Sequence, residues 1–97
     1  MGALLYRDIL DDLKPVADAL EDAEIPYKAY NKGYQFNVTD LDGIVHSYYP
    51  TTQRLVLNRT NDRKIHDTRT LDDISIEKLI KGLRFKNLTT YYFKEEQ

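Results

Sequence analysis

Three short stretches of this chain alternate apolar with polar residues at a period of two, and a turn signal separates each from the next. Tyr34, Phe36 and Val38 alternate with Gln35, Asn37 and Thr39. Ile44, His46 and Tyr48 alternate with Val45, Ser47 and Tyr49. Leu55 and Leu57 flank Val56. That period sends successive side chains to opposite faces of a strand, so each stretch reads as half-buried β structure. Asp42-Gly43 fills the first gap and Pro50-Thr51-Thr52-Gln53 the second. Asp-Gly tolerates positive φ, and proline presets the first central residue of a turn. Gaps this short join antiparallel neighbours, which predicts a meander over 34–58. The piece Tyr27-Lys28-Ala29-Tyr30 either continues the first strand or pairs back across Asn31-Lys32-Gly33, with Gly33 supplying a bulge or tight turn.

Helices flank the meander. Leu5, Ile9, Leu13, Val16 and Leu20 recur every three or four residues and form one apolar stripe over 3–23, with Asp8, Asp11, Asp12, Asp18 and Asp22 opposite. Pro15 interrupts this pattern, because it lacks an N–H and its ring meets the carbonyl of Asp11. The stripe keeps its phase across Pro15, which favours one kinked helix over a break in which Pro15 opens a new turn. Ile25-Pro26 ends it. A second helix is predicted from Ile76, Leu79, Ile80 and Leu83, capped by Asp72 or Asp73 and ending near Gly82. Residues 59–71 are polar apart from Ile65 and Leu71 and read as a loop or frayed edge strand. Residues 88–93 favour an additional C-terminal strand.

One sheet face and two helical stripes must bury each other, which predicts an α+β fold. The form expected is a two-layer α-β-β-β-α sandwich, an antiparallel meander with both helices on one face. Ninety-seven residues make a single domain, 1–97, with a core over about 3–87 and a frayed tail at 94–97. The opposite sheet face is left to solvent and is where function is sought.

Composition narrows the chemistry. The absence of cysteine excludes disulfides, zinc ribbons and thiol nucleophiles. No apolar run is long enough for a membrane span, and the first residues lack a secretion signal, so the chain is expected to be cytoplasmic. The net charge is −2 but unevenly placed. Residues 1–24 carry seven acids against Arg7 and Lys14. Residues 54–69 carry Arg54, Arg59, Arg63, Lys64 and Arg69 against Asp62 and Asp67.

No nucleophile elbow or phosphate-binding glycine loop is present. Asp40, Asp42, His46, Asp62, His66 and Asp67 have the ligand atoms for a metal-dependent nuclease, although Asp40-Leu41-Asp42-Gly43 is also an ordinary turn. Tyr49 with Arg54, Arg59, Arg63, Lys64 and Arg69 could combine base stacking with phosphate contact. The aspartate row, Asp8, Asp11, Asp12, Asp18 and Asp22, could imitate phosphates in another protein's nucleic-acid groove.

The element order is similar to that of the double-stranded-RNA-binding domain over about residues 3–83. That family places lysines at the start of its second helix, where this chain has Asp72, Asp73, Ile74 and Ser75. Over residues 26–58, Gly33-Tyr34-Gln35-Phe36-Asn37-Val38 and His46-Ser47-Tyr48-Tyr49-Pro50-Thr51-Thr52-Gln53-Arg54-Leu55 resemble a pattern of small uncharacterised phage and prophage proteins. In those, an aromatic-Pro-Thr-Thr turn continues with Gly and a basic residue. Here Gln53 replaces the Gly and Arg54 keeps the base. The resemblance implies mobile-element origin and a helix–sheet–helix domain.

The expectation drawn from these residues is a non-enzymatic binding domain, without cofactor or metal, that docks on a host or phage protein. Nucleic acid is the first alternative partner and the metal-dependent nuclease the second. Self-association through a tyrosine-bearing sheet face or a strand edge is a further expectation.

Overall fold

The computed structural model describes residues 3–60 and 66–84. It is an α+β fold in two layers. One layer is a five-stranded antiparallel sheet in sequential order: β1 (Tyr27–Tyr30), β2 (Gln35–Thr39), β3 (Val45–Tyr49), β4 (Arg54–Thr60) and β5 (His66–Leu71). The other layer contains α1 (Lys14–Asp22) and α2 (Ile76–Leu83). The expected three-strand meander is present as β2–β4. It is extended by β1, which pairs back on β2, and by β5, which arises from the polar stretch 59–71. Of the two readings of that stretch, loop or edge strand, the edge strand is formed, because ladder hydrogen bonds are made by backbone groups whatever the side chains are. The proposed strand at 88–93 lies outside the described residues.

Register fixes the faces. Phe36 opposes Tyr48, Val38 opposes His46, Tyr48 opposes Leu55 and Leu57 opposes Arg69. Ala29, Phe36, Val38, Tyr48, Leu55 and Leu57 are buried against Ile9, Leu13, Ala17, Leu20, Ile25, Ile74, Leu79 and Leu83 from the helical layer. Each fully buried Leu or Phe contributes about 1.5–3 kcal/mol. Both helices therefore cover the same face.

The N-terminal stripe does not form the expected continuous helix over 3–23. Two short 3₁₀ turns, Tyr6–Asp8 and Asp11–Leu13, precede α1, and Ile9 and Leu10 between them are not helical. Pro15 sits in the first turn of α1, where its missing N–H would be unpaired in any case. The break falls at Ile9 and Leu10, which are extended, and not at Pro15: the turn Asp11–Leu13 runs directly into α1 and through Pro15. Ile9, Leu13 and Leu20 remain buried, whereas Leu5 is 58% exposed.

Two tight approaches hold these pieces in place. Leu10 N–H donates to the Lys32 carbonyl at 2.9 Å. Gly33, at φ +99°, lies where a Cβ would come within 2.8 Å of Ile9 Cγ2. At the far end of α1, Ile25 N–H donates to the Leu20 carbonyl and Glu24 N–H to the Glu21 carbonyl. This is a Schellman closure with Glu24 in the left-handed position, φ +58°.

Helix α2 is capped by Ser75, whose Oγ accepts from Lys78 N–H at 3.2 Å, not by Asp72 or Asp73. Asp73 is left-handed, at φ +60°, and Ile74 is held to the sheet before the helix can start. Ile74 N–H donates to the Gln53 carbonyl, and the Tyr48 hydroxyl donates to the Ile74 carbonyl. The helix runs one residue past Gly82.

Candidate functional site

The sheet face away from the helices has no described element over it. It carries Lys28 and Tyr30 from β1; Gln35, Asn37 and Thr39 from β2; Val45, Ser47 and Tyr49 from β3; Arg54, Val56 and Asn58 from β4; and Thr68 and Thr70 from β5. Its middle is organised by side-chain hydrogen bonds. Asn37 Oδ1 accepts from Gln35 Nε2 and from Ser47 Oγ, both at 3.1 Å. Two shallow depressions, each of about 340 Å³, open on this face. One is lined by residues that include Lys28, Tyr30, Asn37, Thr39 and Val45, the other by Tyr49, Thr52, Arg54, Val56 and Thr70.

The structure brings Tyr49 and Arg54 together as cross-strand partners. The 50–53 turn between them places Gln53 at φ +54°, a left-handed position that favours glycine. Thr52 Oγ1 donates to the Tyr49 carbonyl. Arg54 Nε donates to Asp72 Oδ1 at 2.9 Å, with both side chains more than half exposed. Solvent screening keeps such a pair within about 1 kcal/mol, so it positions the guanidinium more than it stabilises the fold.

Of the other basic candidates, only Arg69 has a described side chain, and it does not share this surface. Arg69 opposes Leu57, a helix-side residue, and is half-buried. Arg59 pairs with Asp67 through the β4–β5 ladder, and Arg63 and Lys64 lie outside the described residues. The cation that sequence reasoning missed is Lys28. Its place on this face follows only from the pairing of Tyr27–Tyr30 back onto β2, which the periodicity left open.

The aspartate row is distributed rather than aligned. Asp8 and Asp11–Asp12 belong to two different 3₁₀ turns, while Asp18 and Asp22 lie on α1; all five are exposed. Two are engaged locally. Lys14 Nζ donates to Asp11 at 2.9 Å and holds its carboxyl below the ordinary aspartate value. The Tyr6 hydroxyl donates to Asp18 at 2.9 Å.

Of the metal-ligand candidates, only Asp40 and His46 come together with their side chains described, and they form a closed buried pair. Their side chains are 1% and 0% exposed. His46 Nε2 lies 2.8 Å from Asp40 Oδ2, and Asn58 N–H donates to His46 Nδ1 at 2.9 Å. An Nδ1 that accepts is unprotonated, so Nε2 carries the hydrogen and donates to the carboxylate. Asp40 Oδ1 accepts from the N–H groups of Asp42 and Ile44. Burial pushes the His46 pKa below its ordinary value, against the opposing pull of Asp40.

Neither ring nitrogen is left for a metal or a nucleophile. Asp42 is exposed, Asp62 lies outside the described residues, and His66 and Asp67 belong to β5. Among the described residues no three acidic or histidine groups converge on a metal position. The nuclease alternative thus lacks a ligand set there.

Among the described residues no helix is long and apolar enough to cross a membrane. No protein-family model matches the sequence, and neither does any curated protein or solved structure.

Proposed function

We propose that this chain is a small non-enzymatic binding domain that docks on a protein through its open sheet face. The observation that carries the reading is the hydrogen-bonded Gln35–Asn37–Ser47 row, with half-buried tyrosines Tyr30 and Tyr49 on the same face. A pre-ordered polar row loses little side-chain freedom on association, and tyrosines supply amphipathic contact area at low entropic cost.

Among the described residues of this face the cations are Lys28 and Arg54, with Asp72 the carboxylate at its rim. The partner therefore presents a carboxylate among neutral hydrogen-bonding groups. On the resemblance of the Tyr49-Pro50-Thr51-Thr52 turn, that partner belongs to a phage or its host. Nucleic acid is less favoured, because affinity for a phosphate backbone grows with the number of cations aligned along it. Here Arg69 stands on the helix side and Arg54 already engages Asp72.

The test is capture of a stoichiometric protein from an extract of the native cells by the immobilised chain. Retention by wild type and by Asp18→Asn, with loss by Ser47→Arg and Tyr49→Ala, supports the reading. No stoichiometric protein at low or moderate salt, or one held equally by Ser47→Arg, contradicts it. Nucleic-acid binding that weakens steeply with salt and vanishes in Arg54→Glu would transfer the function to the nucleic-acid alternative. A dimer in light scattering that Ser47→Arg dissolves would make the partner a second copy.

A further inference from the structure

The described residues bury only two polar side chains, Asp40 and His46, and these join three segments. Asp40 anchors the β2–β3 turn, where its backbone also pairs with Ile44 and Gly43. His46 belongs to β3. Through Nδ1 it receives the N–H of Asn58 in β4, while Asn58 Nδ2 donates to the Val45 carbonyl. We propose that this network is an acid-released latch, in which a proton taken up by His46 frees the 40–44 turn and the β4 backbone at Asn58 while the rest of the sheet stays folded.

In the neutral ring Nε2–H meets a carboxylate and Nδ1 meets a donor, so both contacts are complementary. Charging the ring places a hydrogen on Nδ1, directly opposite the Asn58 N–H. Two donors then face each other at hydrogen-bond distance in a buried position, and one of them must move. The Nε2 contact to Asp40 survives the proton, so the ring and the turn that carries Asp40 move together, away from the Asn58 N–H.

The surroundings allow a local response. Leu41, Asp42 and Gly43 are exposed, and nothing stands within 4 Å of a Cβ built on Gly43. From β2, Val38 faces the ring across the ladder, and apart from the Tyr48 hydroxyl, which is taken up by the Ile74 carbonyl, the other buried side chains of the described set are apolar. Among the described side chains the titratable groups on this side of the sheet are Asp40, which favours the charged ring, Arg69, which opposes it, and the phenols of Tyr27 and Tyr48, which are neutral over this range. Arg69 stands opposite Leu57, about 10 Å away at two strand spacings.

Val45 and Thr39 line one of the two depressions on the open face, so release would reshape that end of it. The latch does not depend on the docking reading.

The experiment uses the ¹⁵N-labelled full chain. Long-range histidine spectra report the tautomer and charge of His46. Amide exchange, corrected for its intrinsic pH dependence, is followed from pH 7.5 to 5. The latch predicts the Nε2–H tautomer at pH 7.5 and at least a tenfold loss of protection at Ile44 and Asn58 as His46 takes up a proton. Phe36 and Tyr48 should keep theirs. In His46→Gln the pH-dependent loss disappears. Should that variant not fold, Asp40→Asn, which keeps acceptors in the turn but removes the carboxylate charge, should move the loss to a different pH.

Three results would overturn the latch: a charged His46 with Ile44 and Asn58 still protected, a His46 that stays neutral to pH 5, or loss of protection across the whole sheet at once.

Discussion

The Tyr48 hydroxyl donates a 2.6 Å hydrogen bond to the carbonyl of Ile74, so a residue at the centre of the sheet holds the segment that leads into α2. Tyr48 and Ile74 are both at most 2% exposed. Tyr48→Phe keeps the ring but leaves a buried carbonyl without this donor. It should cost about 1–3 kcal/mol in urea unfolding. A loss below a few tenths of a kcal/mol would show that the bond is not what holds α2 to the sheet.

Alkaline stability follows from the same residue. Burial pushes the Tyr48 phenol up to about 12, and burial together with the Glu21 carboxylate does the same for Tyr27. Both phenols ionise near 10 in the unfolded chain. Their contribution is therefore complete below pH 10 and is lost as pH rises toward 12. Phenolate absorbance should show a late-titrating fraction that includes Tyr27 and Tyr48, and melting temperature should fall over that interval. Tyr48→Phe should remove one phenol from that late fraction.

Gly33→Ala, at a buried position between β1 and β2, is expected to be strongly damaging. Its Cβ would meet Ile9 Cγ2 at 2.8 Å, and φ +99° is unfavourable for alanine. The contact is between the N-terminal segment and the β1–β2 connection, so both must separate. Chemical denaturation should report a loss of about 1–3 kcal/mol, in the range of overpacked cores.

Glu24→Gly should act in the opposite direction. Glu24 holds φ +58° at the Schellman position of α1. Glycine adopts that conformation without the Cβ penalty, and relief of the penalty outweighs the added unfolded-state freedom there. The thermal midpoint should rise, with a gain of up to about 1 kcal/mol. A fall would mean that the Glu24 side chain makes a contribution beyond its backbone.

Much of the fold was legible in the sequence where periodicity and turn chemistry coincide. Phe36, Val38, Tyr48, Leu55 and Leu57 occupy the helix-facing side that their alternation implied, and Gly33 occupies a tight turn. The N-terminal stripe misled because spacing alone cannot distinguish a kinked helix from two turns that keep the same side chains inward. The backbone leaves the helix at Ile9 and Leu10, ahead of Pro15, which sits inside α1. Strand β5 was one of two readings of 59–71, left undecided because an edge strand can be built largely from polar residues. The Tyr49–Arg54 pairing was readable from the short turn between them, whereas Lys28 and Arg69 changed places as surface cations because their faces depend on pairings between β1 and β2 and between β4 and β5. His46 was placed on its strand, but its bond to Asp40 needed the turn geometry.

The docking surface can be tested directly with a photo-reactive amino acid placed either at Ser47, in the middle of the open sheet face, or at Asp22, on the exposed side of α1. Illumination with the captured partner at equal occupancy should join it to the chain at position 47 and leave position 22 unlinked. Crosslinking at position 22 alone would place the partner on the helical layer and contradict the account.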